Sequence, residues 1–270
     1  MVRRLILTLF AAIKVRKRLI CLFLIILICG YFVNWRKLEC LWRYGNFEPH
    51  QWSETVPQVR TRIDTDEKIL ALTMDACGSK TDSLDEDLIE FLIQNEIPAT
   101  MFITGRWMDK YPEKFARLAA NPLFEIENHG IAHRPASLTG QSIYGIAGTK
   151  NAGELYDEVA LNADKMEKAT GRRPVFYRSG TAYYDEGATQ MIEDMGFQSI
   201  GFAVLGDKGA TYSADEVEAA FLTAKPGDII ICHMNHPEKE TGRGLMRVLP
   251  KLKARGFRFV LLKDYADKLK

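Results

Sequence analysis

The sequence predicts an α/β protein built on a parallel β-sheet or barrel. From Lys68 onward, short apolar runs alternate with amphipathic stretches, which is the pattern of repeated β–α units. The chain has 270 residues, enough for one sizeable α/β domain and an appendage. Polar residues also stand at or just past the ends of predicted strands, where catalytic residues gather in parallel α/β folds: Asp75, His129, Arg178, Asp207 and His233.

The first half of the domain supplies three strands and two helices. Ile69–Met74, Ala99–Thr104 and Glu125–Asn128 are short runs bounded by polar residues, and we predict strands for them. The stretch 84–95 carries apolar residues at helical spacing, with Asp82 or Ser83 as its N-cap and three acids in its first turn. A second helix is predicted for 107–120.

The second half continues the alternation after a long glycine-containing loop, 134–153, of the kind that is often functional in compact domains. We predict a helix over Glu154–Thr170 that stops at Gly171. The remaining predicted strands are Val175–Arg178, Ser199–Val204, Asp228–Cys232 and Phe257–Leu262. The remaining predicted helices are Asp185–Met195, Ala214–Thr223 and Gly242–Ala254.

The N-terminus carries most of the positive charge of the chain. Residues 1–43 hold nine Lys/Arg and one acid, whereas the remainder holds 27 basic and 34 acidic residues. Six cations precede the uncharged apolar run Leu19–Val33 and three follow it, which favours a membrane anchor over residues 1–35 with the N-terminus inside. The run is short for a span, so a cleaved signal peptide and a buried core helix are the alternatives.

This charge distribution gives the expected organisation. We predict a single-pass inner-membrane protein of the cell envelope, with a stalk at 36–67 and a catalytic domain at 68–270 in the periplasm or outside the cell. The acidic domain is a poor candidate for binding nucleic acid. Export would permit disulfides, and Cys77 and Cys232 each neighbour a candidate site residue; they are either ordinary buried cysteines or a bridged pair.

Two histidines four residues apart, His129 and His133, are the strongest chemical signal in the chain. On a helical turn this spacing brings two imidazoles close enough to bind one metal ion, although Gly130 indicates an irregular turn. Asp75 follows a buried strand and is a candidate general base beside a metal-bound water. Glu127 or Asn128 would support the two histidines from outside the set of metal ligands.

Other polar residues fit supporting roles. Arg178 would orient the Asp75 carboxylate through a bidentate contact, and His233 is a candidate general acid whose tautomer Asp207 would fix. His236 is a second possible ligand or a polar loop residue. Each also has a plain structural reading as an ion pair or turn residue. A further pair of side chains, Tyr183 and Tyr184, would stack on a sugar or simply pack.

From Lys68 to Leu262 the chain resembles the polysaccharide deacetylase family, the NodB homology domain of carbohydrate esterase family 4. The family's Thr-Phe-Asp-Asp-Gly stands here as Thr73-Met74-Asp75-Ala76-Cys77-Gly78, and its His-[Ser/Thr]-x-x-His as His129 to His133. The strand 99–105 resembles Ala-Thr-Phe-Phe-x-x-Gly. The family's Arg-Pro-Tyr-Gly run is degraded to residues 178–183, and its Leu-x-His appears as Ile231-Cys232-His233.

The resemblance implies a distorted (β/α) barrel of about seven parallel strands that hydrolyses N-acetyl, or O-acetyl, groups of a glycan such as peptidoglycan or an exopolysaccharide. It implies a divalent metal, zinc first and Co²⁺, Ni²⁺ or Mn²⁺ as alternatives. Asp75 would activate water, His233 would protonate the leaving amine, and a backbone N–H such as that of Tyr183 would help stabilise the oxyanion.

One departure bears on the metal. The family's second Asp is a metal ligand, and Ala76 stands in its place. Because two histidines alone hold zinc weakly, we predict that Asp82 returns to complete the site with His129 and His133. Asp75 as a direct ligand and an inactive site are the alternatives. The corresponding rival functions are a non-catalytic glycan-binding relative and an amidase acting on small cyclic amides or a xylan-type esterase.

Overall fold

The computed structural model describes residues 35–270 and scattered residues between 17 and 30. Most of the predicted membrane-spanning run lies outside these described residues. Among the residues that are described, no helix combines the length and the apolar character needed to cross a bilayer.

Twelve strands and eight helices are described. The strands are β1 Trp52–Ser53, β2 Ile69–Ala76, β3 Ala99–Ile103, β4 Phe124–Asn128, β5 Ser142–Ile143, β6 Ile146–Ala147, β7 Phe176–Tyr177, β8 Tyr184–Asp185, β9 Gln198–Ser199, β10 Val204–Leu205, β11 Ile229–His233 and β12 Arg258–Phe259. The helices are α1 (residues 35–44 as described), α2 Glu86–Gln94, α3 Gly105–Lys110, α4 Pro112–Ala120, α5 Ala152–Thr170, α6 Glu186–Asp194, α7 Ala214–Phe221 and α8 Thr241–Ala254.

The central sheet is parallel throughout. Its strands lie in the order β10-β11-β2-β3-β4-β7-β9, and β12 also pairs with β2. The two ends of this order, β9 and β10, are joined by the short segment 200–203, so the sheet curls round as a distorted barrel. The predicted α/β fold with about seven parallel strands is confirmed.

Strand β2 is buried over all eight residues because both faces of the sheet are covered. On the outer face Leu70, Leu72, Met74 and Ala76 pack in the core under the helices. On the inner face Ile69 and Ala71 belong to a second apolar cluster that fills the barrel. The side chains at 73 and 75 share this inner face by the period-two rule of a strand.

Several predicted boundaries differ from the structure for local reasons. Helix α2 begins at Glu86, and its N-cap is Asp85, whose Oδ1 accepts the Leu88 N–H at 3.0 Å, rather than Asp82 or Ser83. The helix predicted for 107–120 is two helices, because the chain breaks at Tyr111 and Pro112 opens α4.

Two predicted strands are also shorter or interrupted. The run 199–204 contributes only its ends, as β9 and β10, and the run 257–262 pairs at two residues before a 3₁₀ segment, Leu262–Lys268. The predicted loop 134–153 contains a small hairpin, β5–β6, that turns at Tyr144 and Gly145 with φ of 54° and 76°.

The predicted stalk, 36–67, lies packed against the globular part. Cys40 and Tyr44 of α1 are buried in the cluster formed with α5 and α6. Lys37 pairs with Asp157 at 2.6 Å. Further along, β1 pairs antiparallel with β8, and residues 60–63 add bridges beside the sheet. This segment is therefore part of the folded unit.

Candidate active site

The candidate site is a cleft of about 460 Å³ at the carboxyl ends of the parallel strands. Asp75 is the next-to-last residue of β2, His233 is the last residue of β11, and the two residues are direct partners in the ladder. The cleft is lined by Asp75, Cys77, His133 and His233, among others. The sheet thus brings together residues from distant parts of the sequence at the edge predicted for them.

Asp75 is held by a buried arginine. Arg178 Nη1 donates to Asp75 Oδ1 at 2.8 Å, and both side chains are almost fully buried. The guanidinium also donates to the Gly201 carbonyl at 2.9 Å and lies over the Phe102 ring, 4.2 Å from its centroid. The contact predicted from sequence is present, but it uses one N–H rather than a bidentate pair. The other oxygen, Asp75 Oδ2, lies 3.6 Å from His129 Nε2.

His129 is oriented by the backbone behind it. Its Nδ1–H donates to the Arg178 carbonyl at 2.9 Å, so Nε2 is the nitrogen with a free lone pair. That Nε2 lies 3.6 Å from Asp75 Oδ2 and 3.9 Å from Cys77 Sγ. Burial alone lowers the pKa of His129, but the Asp75 charge and Cys77 outweigh it and raise the pKa.

The two histidines lie on an irregular loop and not on a helical turn. Gly130 and His133 take φ of 80° and 59°. Glu158 of α5 holds this loop, because its Oε1 accepts the N–H groups of Ala132 and Arg134, each at 3.0 Å. A Cβ at Gly130 would collide with the Glu158 carboxylate. The His129 and His133 rings meet edge-on with centroids 4.8 Å apart.

Of the two residues predicted to hold the histidine loop from behind, only Asn128 does so. Asn128 Oδ1 accepts the Gly130 N–H at 2.9 Å and the Asn162 amide at 2.7 Å. Glu127 points elsewhere and accepts the Val175 and Phe176 N–H groups. Strand alternation explains this, since adjacent residues of β4 face opposite sides of the sheet.

Cys77 joins the histidines. The candidate ligand atoms of Cys77, His129 and His133 all lie within 4.8 Å of one another. Burial raises the pKa of the Cys77 thiol, but His133 and hydrogen bonds with His129 and His233 lower it well below its ordinary value. One thiol and two imidazoles are suitable ligands for a divalent transition metal, so these residues fit the implied metal. Cys77 and Cys232 are both free.

Asp82, predicted as the third ligand, does not join this cluster. Its Oδ2 accepts the Ser79 N–H at 2.9 Å and the Asn235 amide at 3.1 Å, and its Oδ1 pairs with Lys110 at 2.9 Å. Asp82 therefore stabilises the loop that follows β2. The prediction was wrong because the Asp82 carboxylate hydrogen-bonds to its own loop and to neighbouring side chains, and it does not reach the histidines.

His233 and Asp207 form a second buried pair. Asp207 Oδ1 accepts from His233 Nδ1 at 3.0 Å, and Oδ2 accepts the His233 N–H at 2.8 Å and the Thr241 hydroxyl at 3.0 Å. Burial lowers the pKa of His233, and the Asp207 carboxylate outweighs it and raises that pKa well above its ordinary value. The partly buried His236 lies at the cleft and pairs with the exposed Glu238 at 3.2 Å.

In the altered third motif, Ser179 forms hydrogen bonds that fix the loop after β7. Ser179 Oγ accepts the Ala136 N–H at 2.7 Å and donates to the Tyr183 carbonyl at 2.6 Å, so it fixes the wall that a proline would otherwise stiffen. A Cβ at Gly180 would collide with the His133 carbonyl. The next residues, Thr181 and Ala182, take φ of 70° and 57°. The segment 179–182 therefore packs directly against the loop that carries His129 and His133.

The two predicted sugar-stacking tyrosines have different positions. Tyr184 is fully buried, and its hydroxyl accepts the Ser179 N–H at 2.9 Å, so it is a packing residue and that prediction was wrong. Tyr183 lies between Trp52, at 5.6 Å, and Tyr144, at 5.9 Å between ring centroids. Tyr144 is 72% exposed at the mouth of the cleft.

Sequence reasoning missed Cys77, Glu158 and the pair of aromatic residues beside Tyr183. Cys77 lies within the first motif, but its sequence position alone did not show that its side chain faces the histidines. Glu158, Trp52 and Tyr144 reach the site only through the tertiary fold, and nothing in their local sequence signals it.

The sequence profile of the polysaccharide deacetylase family matches residues 62–200. The chain therefore belongs to this family, and its predicted class, a polysaccharide deacetylase, is confirmed at that level. Among curated proteins it is similar to a peptidoglycan-N-acetylglucosamine deacetylase of Bacillus cereus, with 23% identity over 216 residues that cover 78% of this chain and 94% of the relative.

Two solved structures share the fold. One is a family 4 acetyl xylan esterase from Clostridium thermocellum in complex with a cobalt ion, with TM-score 0.61, 21% identity and coverage of 74% of this chain and 91% of that one. The other is a family 4 pseudoenzyme from Bacillus anthracis, with TM-score 0.61, 21% identity and coverage of 75% and 66%. At this identity the likeness establishes the fold and leaves the chemistry to the site residues.

Proposed function

We propose that this protein is a metal-dependent hydrolase that removes acetyl groups from N-acetylated sugars of a cell-envelope polysaccharide, with peptidoglycan as the first candidate. One observation carries the proposal. Two paired side chains, Asp75 held by Arg178 and His233 held by Asp207, line one cleft beside the cluster of Cys77, His129 and His133. Base, acid and metal ligands together are the parts that hydrolysis of an amide requires.

The metal would be held by the two histidines and a third ligand, with zinc the first candidate and Co²⁺, Ni²⁺ or Mn²⁺ the alternatives. When bound, a divalent ion polarises the acetyl carbonyl and lowers the pKa of a water molecule. The protein's part is to aim His129 Nε2 at the site through the hydrogen bond from Nδ1–H to the Arg178 carbonyl.

Asp75 would accept the proton of the attacking water. Its Oδ1 accepts a hydrogen bond from Arg178, and its Oδ2 lies 3.6 Å from His129 Nε2, so one oxygen is fixed and the other is the one that would accept the proton. The Arg178 guanidinium is itself fixed by Gly201 and by the Phe102 ring. A base held in this way needs no rearrangement as the proton moves.

His233 would give a proton to the leaving amine nitrogen. Asp207 accepts from Nδ1, which leaves Nε2 as the nitrogen that carries a proton toward the cleft. The raised pKa favours the protonated ring that a general acid requires. Tyr183 N–H, on the adjacent wall, is the backbone donor proposed for the oxyanion.

The glycan would lie along an aromatic ridge formed by Trp52, Tyr183 and Tyr144. The three rings follow one another at 5.6 Å and 5.9 Å, and Tyr144 stands exposed at the mouth of the cleft. Sugar rings present C–H faces that pack on aromatic rings. The B. cereus relative is named as a deacetylase of N-acetylglucosamine in peptidoglycan, which supports this substrate class.

The charge pattern of the sequence supports a location at the inner membrane, with the N-terminus inside and the catalytic domain outside the cytoplasm. Peptidoglycan and exopolysaccharides are reached from that side. Membrane extraction of the full-length chain, compared with a chain that begins at Trp35, tests this placement.

A second candidate function is glycan binding without catalysis. Ala76, where the family has a ligand, and the shared fold with a pseudoenzyme favour it. Acetate release from chitin oligomers and from peptidoglycan, measured on metal-replete protein, separates the two. We expect release by the wild type and a drop of about 10²–10⁴-fold in Asp75→Asn with metal content unchanged. Sugar binding with no acetate from any of these glycans would favour the binding protein instead.

A further inference from the structure

We propose that the Cys77 thiolate replaces the missing carboxylate as the third protein ligand, so that the metal centre is a Cys–His–His site. This inference deepens the proposed function and rests on the presence of a metal in that site. Cys77 Sγ, His129 and His133 form the cluster of metal-ligand spacing among the residues that the structure describes.

The directions of the side chains explain why position 76 does not provide a metal ligand. Ala76 is fully buried in the apolar core beneath the helices, on the same face of β2 as Leu72 and Met74. Asp75 is on the opposite, inner face. Cys77 follows the last residue of β2 and lines the cleft with Asp75. In this chain a ligand at 77 faces the histidines, whereas a carboxylate at 76 would face leucine and methionine side chains.

The distances suit a shared ion. Cys77 Sγ lies 3.9 Å from His129 Nε2, and the three candidate ligand atoms lie within 4.8 Å of one another. Ligand atoms of a tetrahedral zinc site with sulfur and nitrogen donors are roughly 3.5 Å apart, given bond lengths of about 2.3 Å and 2.1 Å. Three protein ligands leave the fourth position for water and substrate.

The two carboxylates that compete for this role are already engaged. Asp82 uses both oxygens on Ser79, Asn235 and Lys110. Asp75 is anchored by Arg178, and only its Oδ2 approaches His129, at 3.6 Å. Asp75 is therefore the carboxylate alternative that an experiment must exclude.

A thiolate ligand has a chemical consequence that a carboxylate lacks. Sulfur donors favour zinc and cobalt and disfavour magnesium and manganese. Thiolate bound to Co²⁺ gives a sulfur-to-metal charge-transfer absorption in the near ultraviolet, which oxygen and nitrogen ligands do not give. This absorption reports on the ligand directly and does not depend on catalysis.

The test loads the full-length chain with Co²⁺ and measures bound metal and absorption on the same sample. We expect one equivalent and a charge-transfer band in wild type. Cys77→Asp should keep the metal and lose the band, and Cys77→Ala should lose most of the metal. Cys232→Ala is the matched control, because Cys232 is also a free cysteine but is outside the cluster; it should keep both.

Alkylation provides a second measurement that needs no variant. Iodoacetamide should modify Cys77 in the apoprotein and not in the zinc-loaded protein, as peptide mass spectrometry would show. A cobalt-loaded wild type without the band, metal loss in Asp75→Asn instead of Cys77→Ala, or failure of the wild type to bind metal would each overturn the proposal. Band and metal without acetate release would leave the thiolate site standing and overturn only the deacetylase activity.

Discussion

At the scale of single residues, the cleft contains two reacting groups that each depend on a buried partner. Arg178 fixes Asp75, and Asp207 fixes His233. The partners are 0% exposed and do not line the cleft, so under the proposed function they act through the groups they hold. Their burial strengthens each contact, because the local dielectric is lower than that of water. Both partners are therefore positioning residues.

Asp207→Asn should lower kcat by about 10²–10⁴-fold with KM and metal content little changed, because a neutral amide removes the carboxylate charge that raises the pKa of His233 and favours its protonated ring. Initial rates on chitin oligomers, with metal analysis of the same protein, provide the measurement. Glu238→Gln, at the exposed partner of His236, is the matched control and should keep its rate. Equal losses in both variants would contradict the role given to Asp207.

At the scale of elements, the periodic strands and helices were predictable and the short irregular ones were not. The buried run at 69–76 and the helix ending at Gly171 follow from local sequence. The break at Tyr111 and the two-residue strands depend on packing that no local pattern encodes. The same division holds in the site: Asp75, His129 and His233 stand at strand ends, whereas Cys77 needed the structure to show which way Ala76 faces.

Strand β4 carries two inward carboxylates, and these predict a pH dependence of stability. Burial and the neighbouring Glu125 raise the pKa of Glu127 from 4.5 to about 8, and Arg172, 3.7 Å away, offsets this only in part. At pH values between 4.5 and about 8, Glu127 keeps its proton in the folded protein and loses it in the unfolded chain. The free energy of unfolding should therefore fall as pH rises from about 4.5 to about 8, by about 1 kcal/mol per pH unit.

Glu127→Gln should remove most of this dependence, because the amide has no proton to lose. Thermal unfolding at several pH values across that interval measures it. A wild type and a variant with parallel curves would show that Glu127 is ionised in the fold. Glu125→Gln is the companion variant, since burial raises the pKa of Glu125 as well.

At the scale of the whole molecule, the described part of helix α1 packs on the domain through buried Cys40 and Tyr44 and through partly exposed ion pairs. Tyr44 is 7% exposed, and its hydroxyl donates to Asp194 Oδ2 at 2.5 Å. Arg43 reaches the same carboxylate at 2.6 Å from an exposed position. Exposed ion pairs stabilise little, and buried hydrogen bonds to a charge stabilise more.

Tyr44→Phe should therefore lower the free energy of unfolding by about 1–3 kcal/mol, while Arg43→Ala should change it by less than about 1 kcal/mol. Urea titration of both variants beside the wild type measures the difference. Equal and small effects would mean that α1 contributes little to the stability of the domain.

The last residue of the chain pairs with the segment that leads into the sheet. Lys270 N–H donates to the Arg62 carbonyl at 2.8 Å, and Thr61 and Arg62 donate to the Lys270 carbonyl. This ladder joins the two ends of the domain on the side away from the cleft. Because the two segments of this ladder are separated by nearly the whole sequence of the domain, we expect their pairing to be a late event in folding.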